Sequence, residues 1–135
     1  MIALKSNIYF MTENQISSEI IGAAIEVHKE LGPGLLESSY EHCLQHELKL
    51  RGFQVDYQYP LPVIYRGDKL DVGYRIDLIV EKKVIVEVKA VEALADIHIA
   101  QILTYLRLKD IKLGLLINFN SLKVTSGIRR VVNNL

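Results

Sequence analysis

Polar and apolar positions change period twice along this chain. Thr12-Glu13-Asn14-Gln15 has the form of a helix-opening capping box. Ile16, Ile20, Ala24, Val27 and Leu31 then recur at helical spacing, with Ile21 and His28 beside them. Gly32-Pro33 stops the pattern, which predicts a helix over Thr12–Leu31. A second helix is expected over Gly34–Arg51, its inward stripe formed by Glu37, Tyr40, Leu44 and Leu48. Glu41, one turn on from Glu37, competes for that place. The first helical turn tolerates negative charge and so favours Glu37.

From Phe53 the period drops to two. Phe53–Tyr59 reads as a strand whose continuation Pro60 and Pro62 confine to an edge or a bend. Val63-Ile64-Tyr65, a turn at Arg66-Gly67-Asp68-Lys69 and the residues from Leu70 onward read as a hairpin leading into the next strand. Arg75–Val80 and Val84–Lys89 flank the polar turn Glu81-Lys82-Lys83 as a further hairpin. The helical period returns over Ile97–Leu108, after a linker from Ala90 to Asp96. Lys112–Phe119 is a buried strand, Asn120-Ser121 a turn, and the segment through Val132 an edge strand. The expectation is one α/β domain over residues 12–135, a mixed central β-sheet flanked by helices. Residues 1–11 are expected to be an N-terminal leader, a candidate for disorder.

Composition sharpens this only in places. With 135 residues the chain is long enough for one real core. Sixteen basic and sixteen acidic side chains cancel, so no global basic field advertises a nucleic-acid partner. The single Cys43 can form no internal disulfide, which fits a reducing cytoplasm and a packed side chain. No apolar run approaches a membrane span, and no membrane partner is expected.

The candidate chemistry sits in the hydrophobic hairpin. Glu87 and Lys89 are two apart in a strand and project from one face. Antiparallel pairing brings Asp77 back towards them. Charges in such a greasy setting are costly unless they are paired or hold a metal. A cross-strand ion pair of Lys89 with Asp77 or Glu87 is the simpler alternative. His98, Gln101 and Tyr105 fall at offsets of zero, three and seven, on one helical face beside Ile102. His28, at the edge of its apolar stripe, reads as a structural histidine.

Together these residues resemble a known family. Gly34-Leu35-Leu36-Glu37-Ser38-Ser39-Tyr40 is similar to the pattern that names the GxxExxY proteins. Asp77 with Glu87-Val88-Lys89 resembles the core signature of the PD-(D/E)XK nuclease superfamily, to which that family is assigned. Gln101-Ile102-Leu103-Thr104-Tyr105 resembles the Q-x-x-x-Y motif of its exonuclease-like branches. Ile76 stands where the superfamily's name has Pro, a position that supplies no ligand.

The resemblance implies a restriction-endonuclease-like core and a metal-dependent nuclease acting on DNA or RNA. Mg²⁺ or Mn²⁺ would be held by Asp77, Glu87 and the Val88 backbone carbonyl, with Glu37 reaching across directly or through water. Lys89 would orient the attacking water or stabilise developing charge. Gln101 and Tyr105 would position the phosphate or Lys89, with His98 beside them. A homodimer is compatible with this reading. Two rivals remain: a metal-free hydrolase using Glu37 and Glu87 as acid and base, and a non-catalytic nucleic-acid- or protein-binding module on the same fold.

Overall fold

The computed structural model describes residues 8–135. Helix α1, Glu13–Leu31, begins at a closed capping box. The Gln15 amide donates to Thr12 Oγ1 at 3.2 Å, and the Thr12 amide to Gln15 Oε1 at 2.9 Å. Its apolar stripe, Ile16, Ile20, Ala23, Ala24 and Val27, is fully packed.

Helix α2 spans Glu37–Leu50, three residues shorter at its start than expected. Gly32 and Gly34 have φ of +70° and +98°, a left-handed backbone that a helix cannot carry. The buried Tyr40 fixes this loop from inside. Its hydroxyl donates to the Gly32 carbonyl at 2.5 Å and accepts from the Leu35 amide at 3.0 Å, while its ring stacks on Phe119 at 4.7 Å.

Strands β1 (Val55–Pro60), β4 (Arg75–Val80), β5 (Val84–Lys89), β6 (Leu113–Asn118) and β7 (Ile128–Val132) form one sheet in the order β1-β4-β5-β6-β7. Only β5 and β6 run parallel. The helix α3, Asp96–Lys109, makes the crossover between them, as a parallel pair requires. Gly114 on β6 lets α3 approach closely, since a Cβ there would meet the Ile102 side chain at 2.8 Å. Strands β2 (Val63–Tyr65) and β3 (Asp68–Leu70) form a separate two-stranded hairpin. Arg66 and Gly67, both left-handed, are its turn. The turn was expected over Arg66–Lys69 with a strand from Leu70 onward; instead Asp68 and Lys69 already belong to β3, and residues 71–74 before β4 are not strand. A 3₁₀ turn at Val124–Gly127 precedes β7 at the sheet edge.

The sheet separates two cores. On one side α1 and α2 pack against Leu78, Val80, Val84, Val86, Val88, Leu113, Leu115 and Ile117. On the other, Ile102, Tyr105 and Leu106 of α3 cover Ile76, Ile79, Ile85 and Leu116. The architecture is the expected α/β fold with a mixed sheet between helices. Of residues 1–11, positions 1–7 lie outside the described residues, whereas Ile8 is buried in the first core and Met11 packs against it. His28 is structural as expected, its Nε2 lying 2.8 Å from the Ser121 carbonyl oxygen.

Candidate active site where two strands part

The β4–β5 ladder runs from Val80↔Val84 to Leu78↔Val86. Beyond it, side chains take over from backbone. The Asp77 amide donates to Glu87 Oε2 at 2.8 Å, and the Val88 amide donates to Asp77 Oδ2 at 2.8 Å. Each carboxylate is therefore clamped by the other's strand. Glu87 is almost fully buried and Asp77 half-buried.

The neighbouring strand adapts at the same level. Gln58 is left-handed at φ +52°, an uncommon and costly conformation for a non-glycine residue. Pairing is regular at Tyr57↔Leu78 and at Tyr59↔Ile76 on either side of it. Across this point β4 changes face. Leu78 and Val80 point into the α1/α2 core, whereas Ile76 lies in the α3 core instead of continuing the alternation. Asp77 thus sits where the two faces of the sheet communicate. The Gln58 amide donates both to Glu41 Oε1 and, at 3.4 Å, to Asp77 Oδ1.

Helix α2 brings two carboxylates to this opening, one turn apart. Glu41 is only 5% exposed and is held by Gln58. Glu37 is half-buried and makes no hydrogen bond or ion pair among the described residues. Burial raises the Glu41 carboxyl above its ordinary range, and the Glu37 charge adds to this against the opposing Gln58 bond. Burial likewise pushes Asp77 up to about 7 and Glu87 to about 8; their backbone hydrogen bonds and Lys89 offset part of the cost.

Lys89 lies on the same strand face as Glu87 and stabilises the charges of Glu41, Asp77 and Glu87. It belongs to none of the close ion pairs among the described residues, which join Arg51 to Glu19 and Glu47, and Lys82 to Asp56. The simple cross-strand ion pair is therefore not what the fold builds. From the other side α3 delivers His98, Gln101 and Tyr105 to a groove of about 640 Å³ that Lys89 also lines. Burial and the facing carboxylates of Glu87 and Asp77 push the Tyr105 hydroxyl up to about 12. His98 has a structural task as well, its Nδ1 accepting from the Ala95 amide at 3.0 Å at the start of α3. The Val88 side chain faces away, into the α1/α2 core.

Sequence reasoning missed Gln58 altogether. Between Tyr57 and Tyr59 on an alternating strand it is indistinguishable from a solvent-facing polar residue. Glu41 was in view, but Leu44 and Leu48 lie three and seven residues beyond it. The same stripe therefore accepts Glu37 or Glu41, and both reach the cluster.

A mixed sheet sandwiched by helices, with carboxylates and a lysine where central strands part, is consistent with a restriction-endonuclease-like domain. The family model described as PD-(D/E)XK nuclease superfamily matches residues 14–131. The chain belongs to that superfamily. No curated protein and no solved structure matched it. Nucleases of this superfamily generally use divalent metals such as Mg²⁺, and their substrates are nucleic acids.

Among the described residues no three His, Cys, Asp or Glu side chains are already gathered as metal ligands. The donor set nevertheless suits a hard cation. Asp77 and Glu87 each commit one oxygen to a backbone amide, and Glu87 Oε1 makes no protein hydrogen bond among the described residues. Mg²⁺ is commonly held by only one or two carboxylates, with waters completing its shell.

Proposed function

We propose that the chain is a divalent-metal-dependent nuclease hydrolysing phosphodiester bonds in DNA or RNA. Its Gly34–Tyr40 segment supports placing it with the GxxExxY proteins. The observation that carries this reading is the meeting of Asp77 and Glu87 at the β4–β5 opening, both carboxylates already clamped by backbone amides, with Lys89 close enough to stabilise their charge. Asp77, Glu87 and the Val88 carbonyl hold Mg²⁺ or Mn²⁺. Glu37, whose carboxylate has no hydrogen-bond or ion-pair partner among the described residues, reaches the same centre directly or through water, while Glu41 holds Gln58 in place. The metal supplies Lewis-acid stabilisation of the phosphate and lowers the pKa of water.

The side chains do the rest. Lys89 orients the attacking water and compensates charge developing on the phosphate. Gln101 and Tyr105 offer an amide and a hydroxyl with which to position that phosphate or Lys89. His98 borders them. Cys43, without a partner thiol, supports a reducing cytoplasmic setting. Among the described residues no helix is long and apolar enough to cross a membrane.

The test is a panel of single- and double-stranded DNA and RNA with Mg²⁺, Mn²⁺ or EDTA, comparing wild type with Lys89→Ala. Metal-dependent cleavage that Lys89→Ala abolishes is expected. Binding of nucleic acid without cleavage under every metal condition would assign the fold to a non-catalytic module. Cleavage that persists in EDTA would favour the metal-free hydrolase.

A further inference from the structure

We propose that the groove beside the candidate active site is a stacking cleft for unpaired bases, so that the substrate enters as a single strand. This deepens the nuclease reading and rests on it. One wall is α3, with Ile97 and Leu108; the other is Leu61, Val63 and Tyr74 at the foot of the β2–β3 hairpin. Lys89, Gln101 and Tyr105 form its inner end, so the groove is continuous with the groups assigned to the reaction.

Two of these wall residues are unusually open for apolar side chains: Ile97 is 71% and Tyr74 48% exposed. Tyr74 is nonetheless held in place, because its carbonyl accepts from the Leu61 amide at 2.9 Å and closes the hairpin foot. The hairpin itself belongs to neither core. It projects Ile64 and Tyr65, more than 60% exposed, with the Arg66 guanidinium 5.6 Å from the Tyr65 ring centre. Among the described residues, nothing packs over these exposed apolar and aromatic side chains. Exposed apolar side chains gathered beside a site, unlike ones scattered singly, mark a binding surface.

Charge selects the occupant. Duplex binding draws on many phosphate contacts from Lys and Arg, commonly about 6–10. Here the chain's formal net charge is zero, and among the described residues Lys89 is the one Lys or Arg lining the groove. A single strand carries about half the duplex's charge per unit length, and base stacking on aromatic faces adds about 1–3 kcal/mol per base to its backbone contacts. The groove volume of about 640 Å³ falls in the range of small-molecule sites, roughly 300–1,000 Å³. That suits a nucleotide, not a double helix.

Fluorescence anisotropy in EDTA reads binding without cleavage. The probes are labelled oligothymidylate, oligouridylate and a blunt DNA duplex of equal length. Both single strands should bind at least about tenfold more tightly than the duplex. Tyr74→Ala should weaken single-strand binding by about tenfold, the loss of one base stack. Tyr74→Phe, which keeps the ring, should retain it, and Ile97→Ala should weaken it less. A preference for duplex, or single-strand affinity unchanged in both Tyr74→Ala and Ile97→Ala, would overturn the proposal. A chain that sediments as a dimer and becomes monomeric in Ile97→Asp would also overturn it, since a second copy would then cover the groove. Because binding is read without metal, absent cleavage by wild type with Mn²⁺ defeats the nuclease reading separately.

Discussion

The ends of β5 and β6 lie side by side in parallel register, Lys89 opposite Asn118, and they treat buried polar groups in opposite ways. Asn118 is almost fully buried and both ends of its amide are hydrogen-bonded. Its Oδ1 accepts from the Val91 and Asn120 amides at 3.1 and 3.2 Å, and its Nδ2 donates to the Val91 carbonyl at 2.9 Å. It fastens the chain leaving β5 to the chain leaving β6. At the end of β5, Glu87 and Asp77 are also hydrogen-bonded, but burial still penalises their charge. The two tyrosines repeat the contrast. Both hydrogen bonds of the Tyr40 hydroxyl hold a loop, whereas Tyr105 turns its hydroxyl field towards carboxylates in an open groove. A buried polar group whose bonds close is a fastening. One left electrostatically unsettled beside a groove is a candidate for chemistry.

The largest expected effect tests the unsettled side. Glu37→Gln should leave the circular dichroism spectrum unchanged while metal-dependent cleavage falls by about a hundredfold or more, the scale of a lost electrostatic group. Glu41→Gln should lose less, because an amide can still bond Gln58. The reverse order would give the metal-side role to Glu41, and full activity in both would make α2 a packing element only.

The next effect breaks the settled side. Asn118→Ala removes three hydrogen bonds, leaving the half-buried Val91 and the exposed Asn120 amides without that acceptor, at a cost of about 2–4 kcal/mol. Urea unfolding should show this as a lower midpoint, whereas Lys89→Ala should shift it far less. Equal losses in the two variants would erase the distinction between fastening and reactive group. Tyr40→Phe keeps the stacked ring and loses only the hydroxyl, with an expected cost of about 1–3 kcal/mol. Since that hydroxyl fixes Gly32–Leu35 just ahead of Glu37, cleavage should fall as well. Unchanged stability would show that the loop holds itself.

The sequence made the fold legible wherever one period dominated. The Ile16–Val27 stripe, the Val84–Lys89 run and the Gly32-Pro33 stop each had one physical reading, and the elements lie there. It misread the start of α2, because helical spacing from Glu37 onward cannot report that Gly34 is left-handed. At the site, Asp77, Glu87 and Lys89 stood out as charges inside apolar runs and do converge. Gln58 did not stand out, since its importance comes from a local backbone conformation and a neighbouring strand. Local pattern reveals which residues are chemically out of place. It does not reveal which ordinary residue a tertiary irregularity will recruit.

The smallest effect is on stability against pH, and it sharpens the same comparison. Folding raises Glu87 from 4.5 to about 8 and Asp77 from 3.8 to about 7. A carboxyl whose folded pKa lies above its unfolded one binds its proton more tightly in the native state. Its stabilising contribution is therefore complete below about pH 4 and disappears as pH rises through 7–8. The metal-free protein should melt at a lower temperature at pH 9 than at pH 6, all other groups being equal. A full shift at about 1.4 kcal/mol per unit would set an upper bound of several kcal/mol; with Lys89 and water nearby, about 1–2 kcal/mol is expected. Glu87→Gln should flatten that slope, while Asn118→Ala should lower the whole curve without changing its shape. Mn²⁺ should restore stability chiefly at the alkaline end, because a cation binds the deprotonated pair. A wild-type slope that Glu87→Gln leaves intact would mean that the charge at the end of β5 is already settled, like the amide beside it.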